Sequence, residues 1–149
     1  MPHKRVFLVR HAKAEAHSQD DGSRRLTAKG RSRFSALVAL LGDRLEVARV
    51  VTSPLVRARE TAEILARAKG CPVREDPRLL AGRSSPEELL ALARRAASGT
   101  ALVGHNPEIA EALAEVTGED LEVKPGAIAA IEVRGEDLSL VFIETPGKE

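Results

Sequence analysis

The sequence predicts an α/β protein: a three-layer αβα sandwich whose mixed, mostly parallel sheet carries helices on both faces. Two observations predict it. Short apolar runs of strand length alternate with segments whose apolar residues recur at helical spacing, the pattern of parallel strands joined by crossover helices. The last two runs, 128–133 and 138–143, are separated only by Arg134-Gly135-Glu136-Asp137. That spacing reads as a hairpin, so the sheet is mixed.

The elements follow in order. Val6–Val9 is the first strand, and it stops on Arg10 and His11. The polar stretch His17–Arg25 reads as a loop. Phe34, Leu37, Val38 and Leu41 form the apolar face of the first helix, which Gly42 ends. Val50–Val51 is the next strand. Ser53-Pro54 then places a capping residue before a proline, and Leu55, Ala58, Ala62 and Leu65 form a helical face ending at Gly70. Ser85-Pro86-Glu87-Glu88 is a capping box opening a helix with Leu89, Leu92, Ala93 and Ala96, and Gly99 follows it. Ala101–Val103 is a strand. Asn106-Pro107 opens a last helix with Ile109, Ala110, Leu113 and Val116, closed by Gly118. No repeat, low-complexity tract or linker divides the chain, so residues 1–149 read as one domain.

Composition narrows the function. A chain of 149 residues buries about 70% of the surface its unfolded form exposes, enough for stability without disulfides or metal. With 23 basic and 22 acidic residues the net charge is +1, which argues against a general binder of nucleic acid or anionic membrane. Trp and Tyr are absent and there are three Phe, so base-stacking platforms are not expected. Cys71 is the only cysteine and reads as a small core or loop thiol. No run approaches the length of a membrane span, and Val6–Val9 is too short for a signal peptide, so a cytoplasmic protein is expected.

In open α/β sheets ligands bind beyond the carboxyl ends of the strands. Three junctions each deliver a basic side chain there: Arg10-His11 after the first strand, Arg57 early in the helix after Thr52-Ser53, and His105 after Gly104. A cation in the first turn of a helix faces the positive end of the macrodipole, at a cost of about 0.3–1 kcal/mol on an exposed helix. An anion between them reverses that sign, and free helix N–H groups suit a phosphate. Each residue also admits a purely structural role: His11 can end a strand, His105 can bond the backbone near a cap, and Arg57 can pair with Glu60 or Glu63. A metal site of His11, Glu15 and His17 lacks the spacing of a zinc helix, and no nucleotide-binding glycine motif is present. His3, near the terminus, reads as exposed.

Taken together, "LVRHA", "TSPLVRARETA" and "LVGHNP", in that order, resemble the histidine phosphatase superfamily, also called phosphoglycerate mutase-like, whose hallmark is an R-H-G/A sequence at the end of the first strand. "RRLTAKG" resembles the start of its first helix. The likeness runs from Val6 to about Ala112, and within the superfamily it is nearest the short SixA-like phosphohistidine phosphatases. Mutase-like members carry an acid after the third strand, whereas here Leu80 and Ala81 stand near that position. SixA-like members also lack it.

The resemblance implies a metal-independent phosphatase that needs no cofactor. His11 is then the nucleophile, and Arg10, Arg57 and His105 complete the catalytic set. The phosphoryl oxygens are held by Arg10, Arg57 and His105, with Arg24 as a further contact. The implied substrate is a phosphohistidine-containing protein of the phosphotransfer or histidine-kinase type. Two alternatives remain at this point: a small-molecule phosphomonoesterase using another acid such as Glu87, His17 or Asp21, and a non-catalytic phosphate or phosphoprotein binding module.

Overall fold

A computed structural model describes residues 3–16 and 21–147. Six strands and four α-helices alternate along them: β1 (Lys4–Arg10), α1 (Ala28–Leu41), β2 (Arg49–Thr52), α2 (Val56–Lys69), β3 (Val73–Glu75), α3 (Pro86–Arg95), β4 (Thr100–Gly104), α4 (Glu108–Thr117), β5 (Ile128–Arg134) and β6 (Asp137–Glu144). The sheet order is β3-β2-β4-β1-β5-β6. β3, β2, β4 and β1 are mutually parallel, whereas β5 runs antiparallel to β1 and β6 antiparallel to β5. The mixed, mostly parallel sandwich read from the sequence is the architecture found.

Side-chain alternation explains why the strands read as unbroken apolar runs. In β1, Phe7 and Val9 point into a core with Phe34, Leu37, Val38 and Leu41 of α1 and Ala58, Ala62 and Leu65 of α2. Val6 and Leu8 point to the other face, among Leu89, Leu90 and Ala93 of α3 and Ile109, Ala112 and Leu113 of α4. A strand buried on both faces has no polar side to interrupt it. Each large side chain so buried contributes about 1.5–3 kcal/mol, which makes β1 a firmly anchored support for whatever its end presents.

Four details differ from the sequence reading. β3 went unrecognised, because it is a short edge strand whose three residues are all exposed. α2 begins at Val56 rather than Pro54, and α4 at Glu108 rather than Pro107. Gly99 lies in the turn before β4, three residues beyond the cap of α3 at Ala96. The Ser85 capping box is present: Ser85 Oγ accepts from Glu88 N at 3.1 Å, and Glu88 Oε1 accepts from Ser85 N at 3.1 Å. Cys71 is half-buried against the first core, and burial pushes its thiol pKa up. No described helix is long and apolar enough to cross a membrane. His3 is exposed, with Nε2 3.9 Å from a Glu132 carboxylate oxygen.

Candidate active site

The carboxyl ends of β1, β2 and β4 meet at one edge of the sheet, and an open pocket of about 390 Å³ lies there. Arg10, His11, Arg24, Arg57 and His105 all line it, so the structure brings together the five residues expected to handle the phosphoryl group. Lys13 and Asn106 line it too. Among the described residues, no carboxylate does.

His11 follows the last residue of β1. Its backbone N–H donates to Gly104 O at 3.1 Å, and its carbonyl accepts from Gly126 N at 2.9 Å. Gly126 has φ +82°, and a Cβ there would fall 2.7 Å from Pro146 Cγ, so a side chain would both strain the turn and clash. The His11 ring is 8% exposed. Its Nδ1 lies 2.7 Å from the Ala12 carbonyl oxygen. A carbonyl only accepts, so Nδ1 carries the proton and the lone pair of the neutral ring sits on Nε2. Burial, reinforced by the charges of Arg57, Arg10 and Arg24, lowers the His11 pKa to about 4 against the opposing bond to Ala12. At neutral pH the ring is uncharged and can act as a nucleophile.

The cations around it are fixed by the backbone. Arg10 Nη1 donates to Val123 O at 2.9 Å, and Asn106 Nδ2 donates to the same oxygen at 2.9 Å. Burial lowers the Arg10 pKa. Arg57 is the second residue of α2 and is 4% exposed, so its guanidinium and the helix N-terminus turn positive potential toward one place. Thr61, one turn along, ties Arg57 to the end of β1 that carries His11: its Oγ1 donates to Arg57 O at 2.8 Å and accepts from Ala12 N at 2.9 Å. His105 Nε2 lies 2.8 Å from Ser53 Oγ, and the His11 and His105 ring centroids are 5.2 Å apart.

This geometry explains the late start of α2. Ser53 Oγ accepts from Leu55 N at 3.2 Å in a turn ahead of the helix while holding His105. Asn106 behaves comparably, with Oδ1 accepting from Ala110 N at 3.2 Å while its amide grips Val123.

Three acidic or hydroxyl side chains support the site in roles the sequence reading did not foresee. Thr61 is one. Glu60 is the second: it does not serve Arg57 but accepts from Leu26 N at 2.8 Å and pairs with Arg25 at 3.0 Å and Arg31 at 2.7 Å. Burial pushes the Glu60 carboxyl up, yet the Leu26 N–H, then Arg31 and Arg25, outweigh it and hold the pKa below its ordinary value. The segment bearing Arg24 is thereby clamped to α2, and Arg24 Nη1 donates to Glu15 O at 3.0 Å. The third is Glu108, which is 7% exposed and accepts from Gly82 N at 2.7 Å, fixing the loop that brings Ala81 to the pocket wall. An acid at the start of a helix is the only sequence signal Glu108 offers.

Of the alternative acids, Glu87 sits in the first turn of α3 and lies outside the pocket lining. His17 lies outside the described residues, as does the side chain of Asp21. Among the described residues, no group of three or more His, Cys, Asp or Glu is placed to hold a metal ion.

Residues 6–80 match the family model of the histidine phosphatase superfamily (branch 1). An uncharacterised protein of a Picosynechococcus species is 39% identical over 137 residues, covering 85% of this chain and 83% of that one. A candidate phosphoglycerate mutase GpmB of Escherichia fergusonii is 41% identical over 78 residues, a match covering 50% of this chain and 36% of GpmB. Among solved structures, a candidate phosphohistidine phosphatase SixA from Agrobacterium tumefaciens superposes with a TM-score of 0.83 at 26% identity, over 96% of this chain and 98% of that one.

Proposed function

We propose, from the premise that the chain belongs to the histidine phosphatase superfamily and to its SixA-like branch, that it removes phosphoryl groups from protein phosphohistidine through a covalent phosphohistidine on His11. The bond from His11 Nδ1 to the Ala12 carbonyl is the observation that carries this reading, because it leaves Nε2 as the attacking atom.

Nε2 attacks phosphorus in line as the substrate's P–N bond breaks. The departing imidazole leaves neutral, keeping the proton it carried before cleavage. Arg10 and Arg57 bind the equatorial oxygens, for which planar, permanently charged guanidinium groups are suited, and His105 donates to a further oxygen. Arg24 extends the positive wall. These charges do the work that a metal ion does in other phosphoryl-transfer sites, so the reaction needs none.

The same Nδ1 proton serves the second step. It stays on His11, so the phosphorylated ring is a cationic imidazolium derivative and a good leaving group. Water attacks phosphorus, the His11–phosphorus bond breaks, and both protons of the water depart with dihydrogen phosphate. Neutral His11 is regenerated.

Substrate class follows from the leaving group. An alkyl phosphate expels an alkoxide, and general acid help for that is typically worth about 10²–10⁴-fold. Ala81 stands in the wall, and among the described residues no carboxylate lines the pocket to give that help. Imidazole, with a conjugate-acid pKa of about 6.5, needs none. The test compares kcat/KM for a phosphohistidine protein, p-nitrophenyl phosphate and glycerol phosphate. The first two should be turned over and the third at least about 100-fold less well. Equal turnover of glycerol phosphate and the phosphohistidine protein would overturn the reading in favour of a small-molecule phosphomonoesterase.

A further inference from the structure

Beside the phosphoryl pocket opens a second cleft of about 160 Å³. Ala12, Pro125 and Pro146 give it an apolar floor, and Lys13, Arg33 and Lys124 supply cations. Lys13 and Pro125 line both cavities, so the two are neighbours. Gly30 makes the junction possible: a Cβ there would fall 2.4 Å from the Lys13 carbonyl oxygen, so only glycine lets the strand end lie this close to α1.

The charges of this cleft are unbalanced. Arg33 is half-buried, its Nε is buried with no hydrogen-bond partner, and no carboxylate lines the cleft among the described residues. Lys124 has Glu122 only at 4.0 Å. Other arginines have carboxylate partners, with Arg25 and Arg31 on Glu60 and Arg78 on Asp76 at 2.7 Å. Cations converging over apolar walls favour an anion that bonds to them.

We propose that this cleft binds a carboxylate side chain of the substrate protein, within about three residues of its phosphohistidine. His11 and Lys13 are two residues apart, with Cα atoms at most about 7 Å from each other, so the two anionic groups bind as close neighbours. The apolar floor suits the methylene stem of a glutamate, whereas a small hydrated anion gains nothing from it. The proposal rests on the phosphohistidine reading of the neighbouring pocket.

Two phosphohistidine peptides test it, one with glutamates flanking the phosphohistidine and one with glutamines in their place. The wild-type enzyme should prefer the glutamate peptide by about tenfold or more in kcat/KM, through KM. Arg33→Glu should abolish that preference while p-nitrophenyl phosphate turnover and the melting temperature stay unchanged, and Arg33→Lys should retain much of it. Equal use of both peptides by the wild type overturns the cleft assignment and leaves the phosphatase reading standing. If neither peptide is turned over while p-nitrophenyl phosphate is, the phosphohistidine reading fails instead. The cleft is then judged by direct binding of the unphosphorylated glutamate peptide, which must be weakened by Arg33→Glu for the assignment to survive. An Arg33-dependent preference for 3-phosphoglycerate over glycerol phosphate would assign the cleft to a small acid phosphate and overturn the protein substrate.

Discussion

Lowering the pH should leave His11 neutral until about pH 4, and that delay has a measurable cost in stability. In the unfolded chain the ring binds its proton near pH 6.5. In the folded protein burial and three arginines hold the pKa at about 4. Between those values the unfolded state carries more protons than the folded one, so stability rises with pH across that window. The contribution of the neutral ring is complete above about pH 6.5, shrinks as pH falls, and is exhausted near pH 4, for a total of about 3 kcal/mol. Other groups titrate in the same range, so the assay is a difference: urea unfolding of the wild type and of His11→Asn at about pH 7, 5.5 and 4. At about 1–3 kcal/mol per molar urea, the wild type should lose about 1–3 M of midpoint relative to the variant. NMR titration of the imidazoles should show one ring, missing from His11→Asn, changing charge near pH 4. A His11 titration near pH 6.5, or parallel stability profiles, would refute the electrostatic account.

Other parts of the site make separate predictions. Arg57→Ala removes charge-assisted bonds worth about 1.5–3 kcal/mol, so vanadate or phosphate affinity should fall about tenfold or more in titration calorimetry. Glu60→Ala unfastens the Arg24 segment from α2 and leaves the Leu26 N–H without its acceptor. A loss of about 1–3 kcal/mol in urea unfolding is expected, with reduced activity at pH 7. Incubation with EDTA should leave turnover unchanged, and a loss restored by added Mg²⁺ or Zn²⁺ would contradict a metal-independent mechanism.

How far the sequence could be read followed from where each interaction lies. β1 was legible because burial on both faces makes Val6–Val9 a continuous apolar run, and the abrupt stop at Arg10-His11 marks its functional end. Arg57 was legible because a cation in the first turn of a helix opposes the macrodipole. β3 was not, since an exposed edge strand needs no apolar run. Ser53 and Asn106 read as helix caps because their local context is that of a cap. Each instead reaches across the site, to His105 and to Val123, and no local pattern encodes such a partner. The roles of Glu60, Thr61 and Glu108 were missed for the same reason: their partners, the 24–31 segment, Ala12 and Gly82, are brought near only by the fold.

The covalent step is tested most directly by trapping it. The enzyme is mixed with a phosphohistidine protein labelled on phosphorus, quenched in alkali within the first turnover, and mapped by mass spectrometry. The account requires an alkali-stable, acid-labile phosphoryl group on His11, present in the wild type and absent from His11→Asn. Multiple turnovers with no label on His11, or an equal label in His11→Asn, would contradict it.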